Sequence, residues 1–399
     1  MKKFLSVLLC ASLTLSLLVG CAGADATSAD SATTEATSDE AVSTGETFKI
    51  GGIGPITGGA AVYGLAVMNA GQIAVDEINA AGGINGYQIE YNFQDDELDN
   101  EKSVNAYNTL SDWGMQVLMG TVTSGCCVAV AAESSKANMF QITPSGSAVD
   151  CIANANVYQV CFTDPNQGIA AADYIADNGV ASKVAVIYDS SDVYSSGIYA
   201  KFAEEAKTKN LEIVSAEAFT ADNKTDFSVQ LQKAQDNGAE LVFLPIYYTE
   251  ASLILSQASK MGYAPKFFGC DGLDGILGVE NFDASLAEGV MLLTPFAADA
   301  TDDATVAFVT EYNKRFGENP NQFAADAYDA MYIIKAAIEA KGLTPSSSIS
   351  DICDACKDAM TTLTFDGLTG SSMTWDAEGA VNKAPKAMEI VNGEYKLIQ

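Results

Sequence analysis

Residues 48–93 constrain the fold of this chain more than any other stretch. A short apolar run, 48–53, leads through a loop of Gly, Pro and Thr into a helical pattern that ends at Gly82-Gly83, where glycine accepts the left-handed backbone of a helix stop. Apolar and polar residues then alternate from Tyr87 to Gln94, which is the pattern of a half-buried strand. Strand, helix and strand in this order predict a right-handed βαβ crossover and hence a parallel sheet.

The same alternation of strand and helix continues along the chain. Further strand patterns, separated by helical patterns, occur at 116–119, 139–143, 184–188, 213–219, 241–246, 267–270 and 290–294. Three helical patterns follow, and the chain closes with a hairpin pattern on Asn392-Gly393. About 350 residues follow residue 46, which is more than one hydrophobic core usually serves. The predicted fold class is therefore α/β, with two doubly wound parallel-sheet lobes.

The N-terminal 46 residues carry the signs of export. A basic start precedes an apolar segment that closes with Leu18-Val19-Gly20-Cys21. This ending resembles the bacterial lipobox, which implies a signal peptide at 1–20 and a lipid on Cys21 that anchors the protein to the outer face of the cytoplasmic membrane. An ordinary cleaved signal or a membrane anchor explains the position of Cys21 less well. Residues 21–46 are mostly small, hydroxyl and acidic and cannot bury enough apolar surface to fold, so they predict a flexible acidic tether.

The charge of the chain excludes several classes of function. With 52 Asp+Glu against 21 Lys+Arg, the formal charge is −31, which repels phosphate backbones and so argues against a nucleic-acid partner. The sequence contains no histidine, which removes the commonest general base and any histidine-based zinc site. We expect no catalytic residues, no metal and no cofactor.

The cysteines favour a structural interpretation. Beyond Cys10 and Cys21, seven cysteines remain, so at least one of them is free. Cys353 and Cys356 lie inside a helical pattern, which favours buried thiols or a local disulfide over a redox motif. A four-thiolate site that adds Cys126 and Cys127 has the right ligands, but nothing in the spacing requires it.

Ligands of open parallel sheets gather at the carboxyl ends of the strands, so the loops at those ends are the candidate site. In the first half of the chain these loops carry hydroxyls and glycines without charge, at 54–64, 120–125 and 143–147. In the second half they carry tyrosines and acids, at 189–194, 247–250 and 271–275. Hydroxyls and free N–H groups at a helix start hold a carboxylate without a cation.

The two sets of loops together suit a zwitterion with an apolar side chain. The only arginine, Arg315, lies outside them, so an arginine-based carboxylate clamp is excluded. Each feature alone also has a purely structural explanation. A Ser/Gly loop is typical of a turn, a tyrosine pair is typical of packing, and Glu250 is typical of an acid in the first turn of a helix.

Six short stretches carry a family resemblance: Gly54-Pro55-Ile56-Thr57-Gly58, Tyr63-Gly64, 74–86, 164–168, 247–250 and 271–275. Over nearly all of residues 48–398 the chain resembles the leucine/isoleucine/valine-type substrate-binding proteins of ABC transporters. The resemblance implies the type I periplasmic-binding fold, with two lobes joined by three crossings near Asp164, Thr294 and Phe365. It places the first lobe at 47–165 and 295–365, and the second lobe at 166–294 and 366–399.

The same resemblance assigns ligand contacts residue by residue. The family's carboxylate contacts fall on Ser124, Ser145 and Ser147, and its ammonium partner falls on Asp271. Its aromatic wall positions fall on Tyr63, Tyr194, Tyr247 and Phe323. Many members carry Glu where this chain has Asp271, and the shorter acid leaves room for a larger or shifted ligand. The implied function is capture of a branched-chain or other neutral amino acid by a monomer that delivers it to the permease subunits of an ABC importer.

The sequence disfavours two enzyme classes with related folds or locations. A Rossmann oxidoreductase is disfavoured because the loop after the first strand lacks the third glycine and contains Pro55. A secreted hydrolase is disfavoured because the sequence has no histidine, no G-x-S-x-G elbow and no P-loop. A tethered ligand-sensing subunit, or a binder of amides, urea or aromatic acids with the same fold, stays open.

Overall fold

A computed structural model describes residues 45–398, and the core of this region is built on two β-sheets. The predicted signal peptide, Cys21 and nearly all of the predicted tether lie outside the described residues. The two sheets confirm the α/β class and the two lobes. The lobes are called here the first and the second, after the order of their sheets in the chain.

The first sheet is parallel throughout, with the strand order β2-β1-β3-β4-β5. Its strands are β1 Thr47–Gly54, β2 Gln88–Asp95, β3 Val117–Gly120, β4 Gln141–Thr143 and β5 Val157–Gln159. The predicted βαβ unit is confirmed, because β1 and β2 pair in parallel along all eight residues of each strand. β1 is almost fully buried between the helices on the two faces of the sheet, whereas β2 forms an edge with half-buried side chains.

The second sheet has the strand order β12-β11-β10-β9-β8-β6-β7. Its strands are β6 Lys183–Asp189, β7 Glu212–Phe219, β8 Leu241–Leu244, β9 Lys266–Gly269, β10 Met291–Thr294, β11 Lys386–Val391 and β12 Glu394–Leu397. Five of these strands are parallel, and the predicted C-terminal hairpin adds β11 and β12 as antiparallel strands at one edge. The second sheet is therefore mixed rather than wholly parallel.

In residues 45–398, ten α-helices cover the sheets. They are α1 Ala61–Ala80, α2 Asn100–Trp113, α3 Ser124–Lys136, α4 Asp164–Asp177, α5 Val193–Thr208, α6 Ser228–Asp236, α7 Tyr248–Met261, α8 Asp303–Phe316, α9 Gln322–Ala340 and α10 Ile349–Met360. By length and composition Gly58–Ala80 could cross a membrane, but 56% of its apolar window is buried inside the fold. It is the core helix of the first lobe, packed on α9 and β1, and a Cβ at Gly71 would lie 2.8 Å from the Tyr91 hydroxyl oxygen.

The chain passes between the lobes at loops. α4 follows β5 and packs on α5 of the second lobe, so the chain leaves the first lobe between β5 and α4. It returns after β10, because α8 packs on α1. The third crossing was predicted near Phe365, and there the structure differs.

Residues 366–383 remain attached to the first lobe. The backbone N–H groups of Leu368 and Thr369 donate to the Asp329 carboxylate of α9 at 2.8 and 2.9 Å, and the Trp375 indole donates to the carbonyl of Gln159 at 2.7 Å. The third crossing therefore lies just before β11, which begins at Lys386, and the predicted boundary at 365/366 is wrong. This segment has no helical or strand pattern, so its attachment depends on hydrogen bonds to distant residues that the sequence does not reveal.

A buried ion pair fixes the end of this segment to α9. The Lys383 ammonium lies 2.7 Å from the Asp326 carboxylate, both side chains are 1% exposed, and Lys383 also donates to the Thr369 hydroxyl. Removing one partner of such a pair leaves the other charge buried and uncompensated.

We predict that Lys383→Met lowers the free energy of unfolding by about 3–5 kcal/mol, because Asp326 stays buried without its cation. The midpoint of urea denaturation measures this change. Lys396→Met is the matched control, since the Lys396 side chain is 43% exposed and contacts Glu394 at 2.7 Å, and we expect it to change stability by less than about 1 kcal/mol. A Lys383→Met midpoint equal to that of the control would show that the ion pair does not hold the segment.

Candidate ligand-binding cleft

The strand-end loops of the two lobes face each other across a small cavity. Seven of the eight ligand-binding residues predicted from the sequence line it, namely Tyr63, Ser124, Ser145, Tyr194, Tyr247, Asp271 and Phe323. The cavity volume is about 10 Å³, which is room for about one water molecule. A larger ligand therefore enters this site only if the lobes or the lining side chains move apart.

Ser147 is the predicted contact that does not line the cavity. It is fully buried, its N–H donates to the Ser124 hydroxyl at 3.1 Å, and its own hydroxyl has no hydrogen-bond partner among residues 45–398. Ser147 thus contacts Ser124 through its backbone and not through its side chain. A carboxylate contact for the Ser147 hydroxyl has no support in this geometry.

The hydroxyls of Ser124 and Ser145 have opposite hydrogen-bond polarity. Ser124 Oγ accepts from the N–H groups of Ser147 and Ala148 at 3.1 and 3.2 Å, so its own proton is free to be donated into the cavity. Ser145 Oγ donates to the carbonyl of Val122 at 2.6 Å, so only its lone pairs face a ligand. Ser124 therefore suits a carboxylate, and Ser145 in this arrangement suits an ammonium group.

The start of α3 adds donors for an anion. Thr123, the N-cap residue of α3, makes no side-chain capping bond, so within the described chain no side chain caps the first-turn N–H groups. Thr123 also lines the cavity, with a buried hydroxyl that has no partner in that same region. The loop 120–125 was predicted as part of the site but Thr123 itself was not, although a hydroxyl directly before Ser124 was a usable signal.

Aromatic rings form the walls of the cavity. The ring centroids of Tyr63 and Phe323 are 4.2 Å apart, and those of Tyr194 and Tyr247 are stacked at 5.0 Å. Tyr63 and Phe323 come from the first lobe and the other two from the second, so closure of the lobes brings the two pairs together. These walls suit an apolar side chain.

Asp271 is the buried acid of the cavity. It is 3% exposed, and Oδ1 accepts from the Tyr194 hydroxyl at 2.7 Å. The N–H of Asp271 donates to Gln167 Oε1 at 3.1 Å, and its carbonyl accepts from the Gln322 side chain at 3.1 Å. Burial raises the pKa of Asp271 to about 7, because a buried carboxylate loses its hydration. A cation delivered by a ligand would favour the ionised form.

Sequence reasoning missed three buried residues close to Asp271. Gln167 and Gln322 hydrogen-bond to its backbone, and Asp164 is 1% exposed near its carboxylate. Asp164 and Gln167 belong to the stretch 164–168, which was matched to the family and placed near a lobe crossing without a ligand role. The polar residues in that motif were the available signal for a site role.

A wider and more acidic cavity lies outside the small one. Its volume is about 470 Å³, it shares Thr123 and Tyr247 with the inner cavity, and it contains Asp192 and Glu250. Glu250 is paired with Lys224 at 3.1 Å, and burial raises the pKa of Asp192 to about 6. This cavity suits an entrance to the inner one. A hollow of about 500 Å³ elsewhere between the lobes contains none of the predicted contacts.

None of the described cysteines lines the inner cavity, and Cys126 lines the outer one. All seven described cysteines are free thiols and all are buried, which agrees with the buried-thiol interpretation of Cys353 and Cys356. No group of cysteine and acidic residues in residues 45–398 could hold a metal ion. The four-thiolate site considered from the sequence is therefore not formed.

Comparison with known proteins supports the two-lobed fold described above. Residues 47–394 match the family model described as periplasmic binding protein. The chain is 31% identical to the Leu/Ile/Val-binding protein homolog 3 of Brucella melitensis over 305 residues, which cover 75% of this chain and 80% of that protein.

Solved structures give the same result. A branched-chain amino acid transporter substrate-binding protein from Streptococcus pneumoniae, in complex with isoleucine, is similar with a TM-score of 0.80 and 30% identity, covering 88% of this chain and 99% of that one. A solute-binding protein from R. palustris, in complex with benzoate, shares the fold with a TM-score of 0.77 at 19% identity, over 88% and 95% of the two chains. The chain therefore belongs to the periplasmic binding protein family, whose members act outside the cytoplasm as solute-binding proteins and not as enzymes.

Proposed function

We propose that this protein captures a branched-chain or another neutral amino acid between its lobes and delivers it to the permease subunits of an ABC importer. One observation carries the proposal: a single interlobe cavity combines a free hydroxyl donor, an anion and aromatic walls. Ser124 and the start of α3 hold the carboxylate, Asp271 pairs with the ammonium group, and the rings of Tyr63 and Phe323 contact the side chain.

The charge of the cavity supports a ligand with an uncharged side chain. The described residues that line the cavity include no Lys or Arg, so a second carboxylate on the ligand would lack a counter-ion. Lys224, in the outer cavity, is already paired with Glu250. Acidic amino acids are therefore disfavoured as ligands.

An aromatic acid is the second candidate, because the R. palustris relative was solved with benzoate. Such a ligand could use Ser124 and the aromatic walls, but it would leave Asp271 buried without a cation. Burying an unpaired carboxylate costs several kcal/mol, so the acid in this cavity favours an amino acid. A ligand-sensing role would use the same site with a different membrane partner.

Binding is expected to raise the melting temperature. A ligand held at ~100 times its dissociation constant adds roughly 2.7 kcal/mol to the folded state. Thermal shift and then calorimetry, with all common amino acids, benzoate and 4-hydroxybenzoate, should give the largest effects for Leu, Ile and Val. Preference for Glu, Asp, a sugar, a nucleotide or a benzoate would contradict the proposal.

Asp271→Asn should weaken amino-acid binding at least ~10-fold, which corresponds to about 1.4 kcal/mol. The substitution keeps the shape of the side chain and removes the charge that pairs with the ammonium group, an interaction worth roughly 1.5–3 kcal/mol. Calorimetric titration gives the affinity, and the unliganded melting temperature checks the fold.

Glu250→Gln is the comparison variant, because Glu250 faces the outer cavity and has its own cation. We expect its affinity to stay within about twofold of the parent. The opposite result, with loss in Glu250→Gln and none in Asp271→Asn, would place the ammonium group in the outer cavity.

We further propose that the protein acts as a monomer and that lipidated Cys21 anchors it to the cell membrane. The lipobox-like ending of the apolar segment and the composition of residues 22–46 support this anchor. Cys21→Ala, expressed in a host that processes lipoproteins, should move the protein from the detergent phase to the soluble or secreted fraction. Cys10→Ala, a cysteine inside the predicted signal peptide, should leave the partitioning unchanged. Equal partitioning of the parent and Cys21→Ala would end the claim.

A further inference from the structure

Four buried polar atoms without a hydrogen-bond partner gather beside the cleft. Within residues 45–398 they are Ser147 Oγ, both carboxylate oxygens of Asp164, and Gln167 Nε2. The three residues are 0%, 1% and 0% exposed, in that order. Folded proteins leave few such atoms, and a cluster of them points to a partner that the chain itself does not supply.

Hydrogen bonds connect this cluster to the walls of the cavity. The N–H of Asp164 donates to the carbonyl of Ser147 at 2.9 Å, and the N–H of Ser147 donates to Ser124 Oγ at 3.1 Å. On the other side, Gln167 Oε1 accepts from the N–H of Asp271 at 3.1 Å. The unpaired atoms therefore belong to residues that do not line the cavity themselves but are connected by hydrogen bonds to the lining residues Ser124 and Asp271.

A purely structural role explains Asp164 poorly. It is the first residue of α4, where an acid interacts favourably with the helix dipole. An acid gains that stabilisation while its carboxylate stays exposed to water, so the dipole does not require burial. Asp164 is buried, and Thr163 already caps the helix by accepting from the N–H of Asn166. Burial raises the pKa of Asp164, the nearby Ser147 hydroxyl lowers it, and the neighbouring charges of Asp271 and Asp192 raise it further. The carboxylate is thus close to Asp271 and lacks a positive partner.

An ammonium group meets only one anion among the described residues that line the cavity. It has three N–H donors. Asp271 has one oxygen occupied by Tyr194, which leaves the other for the ligand, and Ser145 Oγ presents only lone pairs. The other lining hydroxyls, including that of Thr123, are neutral. A ligand needs more room than the present cavity provides, and the carboxylate of Asp164 is buried behind the lining residues.

We infer that Asp164 is a second recognition acid, which receives the ligand's ammonium group together with Asp271 and the Ser145 hydroxyl. This inference rests on the proposed function, because it requires a ligand with an amino group. Its ligand class is the α-amino acids, as opposed to carboxylic acids that lack the amino group.

The test compares leucine with 4-methylpentanoate, which is leucine without its amino group. Asp164→Asn keeps the size of the side chain, and its affinity for leucine should fall at least ~10-fold, while its affinity for 4-methylpentanoate stays equal or rises. Asp303→Asn is the matched control, since Asp303 is also the first residue of its helix, α8, but is exposed. We expect the control to bind both compounds within twofold of the parent.

The outcomes separate the inference from the proposed function. A parent protein that prefers 4-methylpentanoate or a benzoate over every amino acid would overturn the proposed function and, with it, the inference. A parent that binds leucine, with an Asp164→Asn variant that binds it equally well, would overturn the inference alone. Equal losses for leucine and 4-methylpentanoate, or a variant that fails to fold by its melting temperature, would assign Asp164 a structural role and also overturn it.

Discussion

The free-energy cost of burying a carboxylate without a cation beside it is the constraint that couples ligand binding to the close approach of the two lobes. In a chain of charge −31, the lining residues give Asp271 a tyrosine hydroxyl but no positive group. A lone buried carboxylate costs several kcal/mol, and its raised pKa has the same origin. A zwitterionic ligand brings the missing ammonium group. Closure and binding are then one event, because the ligand removes the penalty that closure creates.

Hydrogen bonds join the two lobes directly around the cavity. Tyr63 donates to the carbonyl of Gly272, Thr249 donates to that of Gly59 at 2.6 Å, and the N–H of Gln322 donates to Asp274 at 3.0 Å. A hydrogen bond of this kind contributes only about 0.5–1.5 kcal/mol net, since water satisfies the same groups when the lobes open. Such contacts favour a balance between open and closed forms that a ligand can shift through its preference for one of them. Release to a membrane partner needs the same reversibility.

The sequence predicted the fold well because hydrophobic periodicity marks the interior of helices and strands. It predicted their ends less well, and the site lies at those ends. Helices α3 and α5 begin at Ser124 and Val193, before the apolar residues that show the helical period. The first turns contain serine, glycine and tyrosine, which do not show the apolar period. The resemblance to a family, rather than periodicity, located Ser124 and Tyr194.

Residue type alone also leaves the direction of a hydrogen bond undecided, and this sets the limit of the site prediction. Ser124 and Ser145 were assigned the same role because a hydroxyl can donate or accept. The tertiary structure divides them, since Val122 takes the proton of Ser145 while two N–H groups occupy the lone pairs of Ser124. One end of the cavity is left with donors and the other with acceptors. A ligand that carries a carboxylate and an ammonium group on one carbon is oriented by this polarity before its side chain is sensed, so the aromatic walls are left to select among side chains.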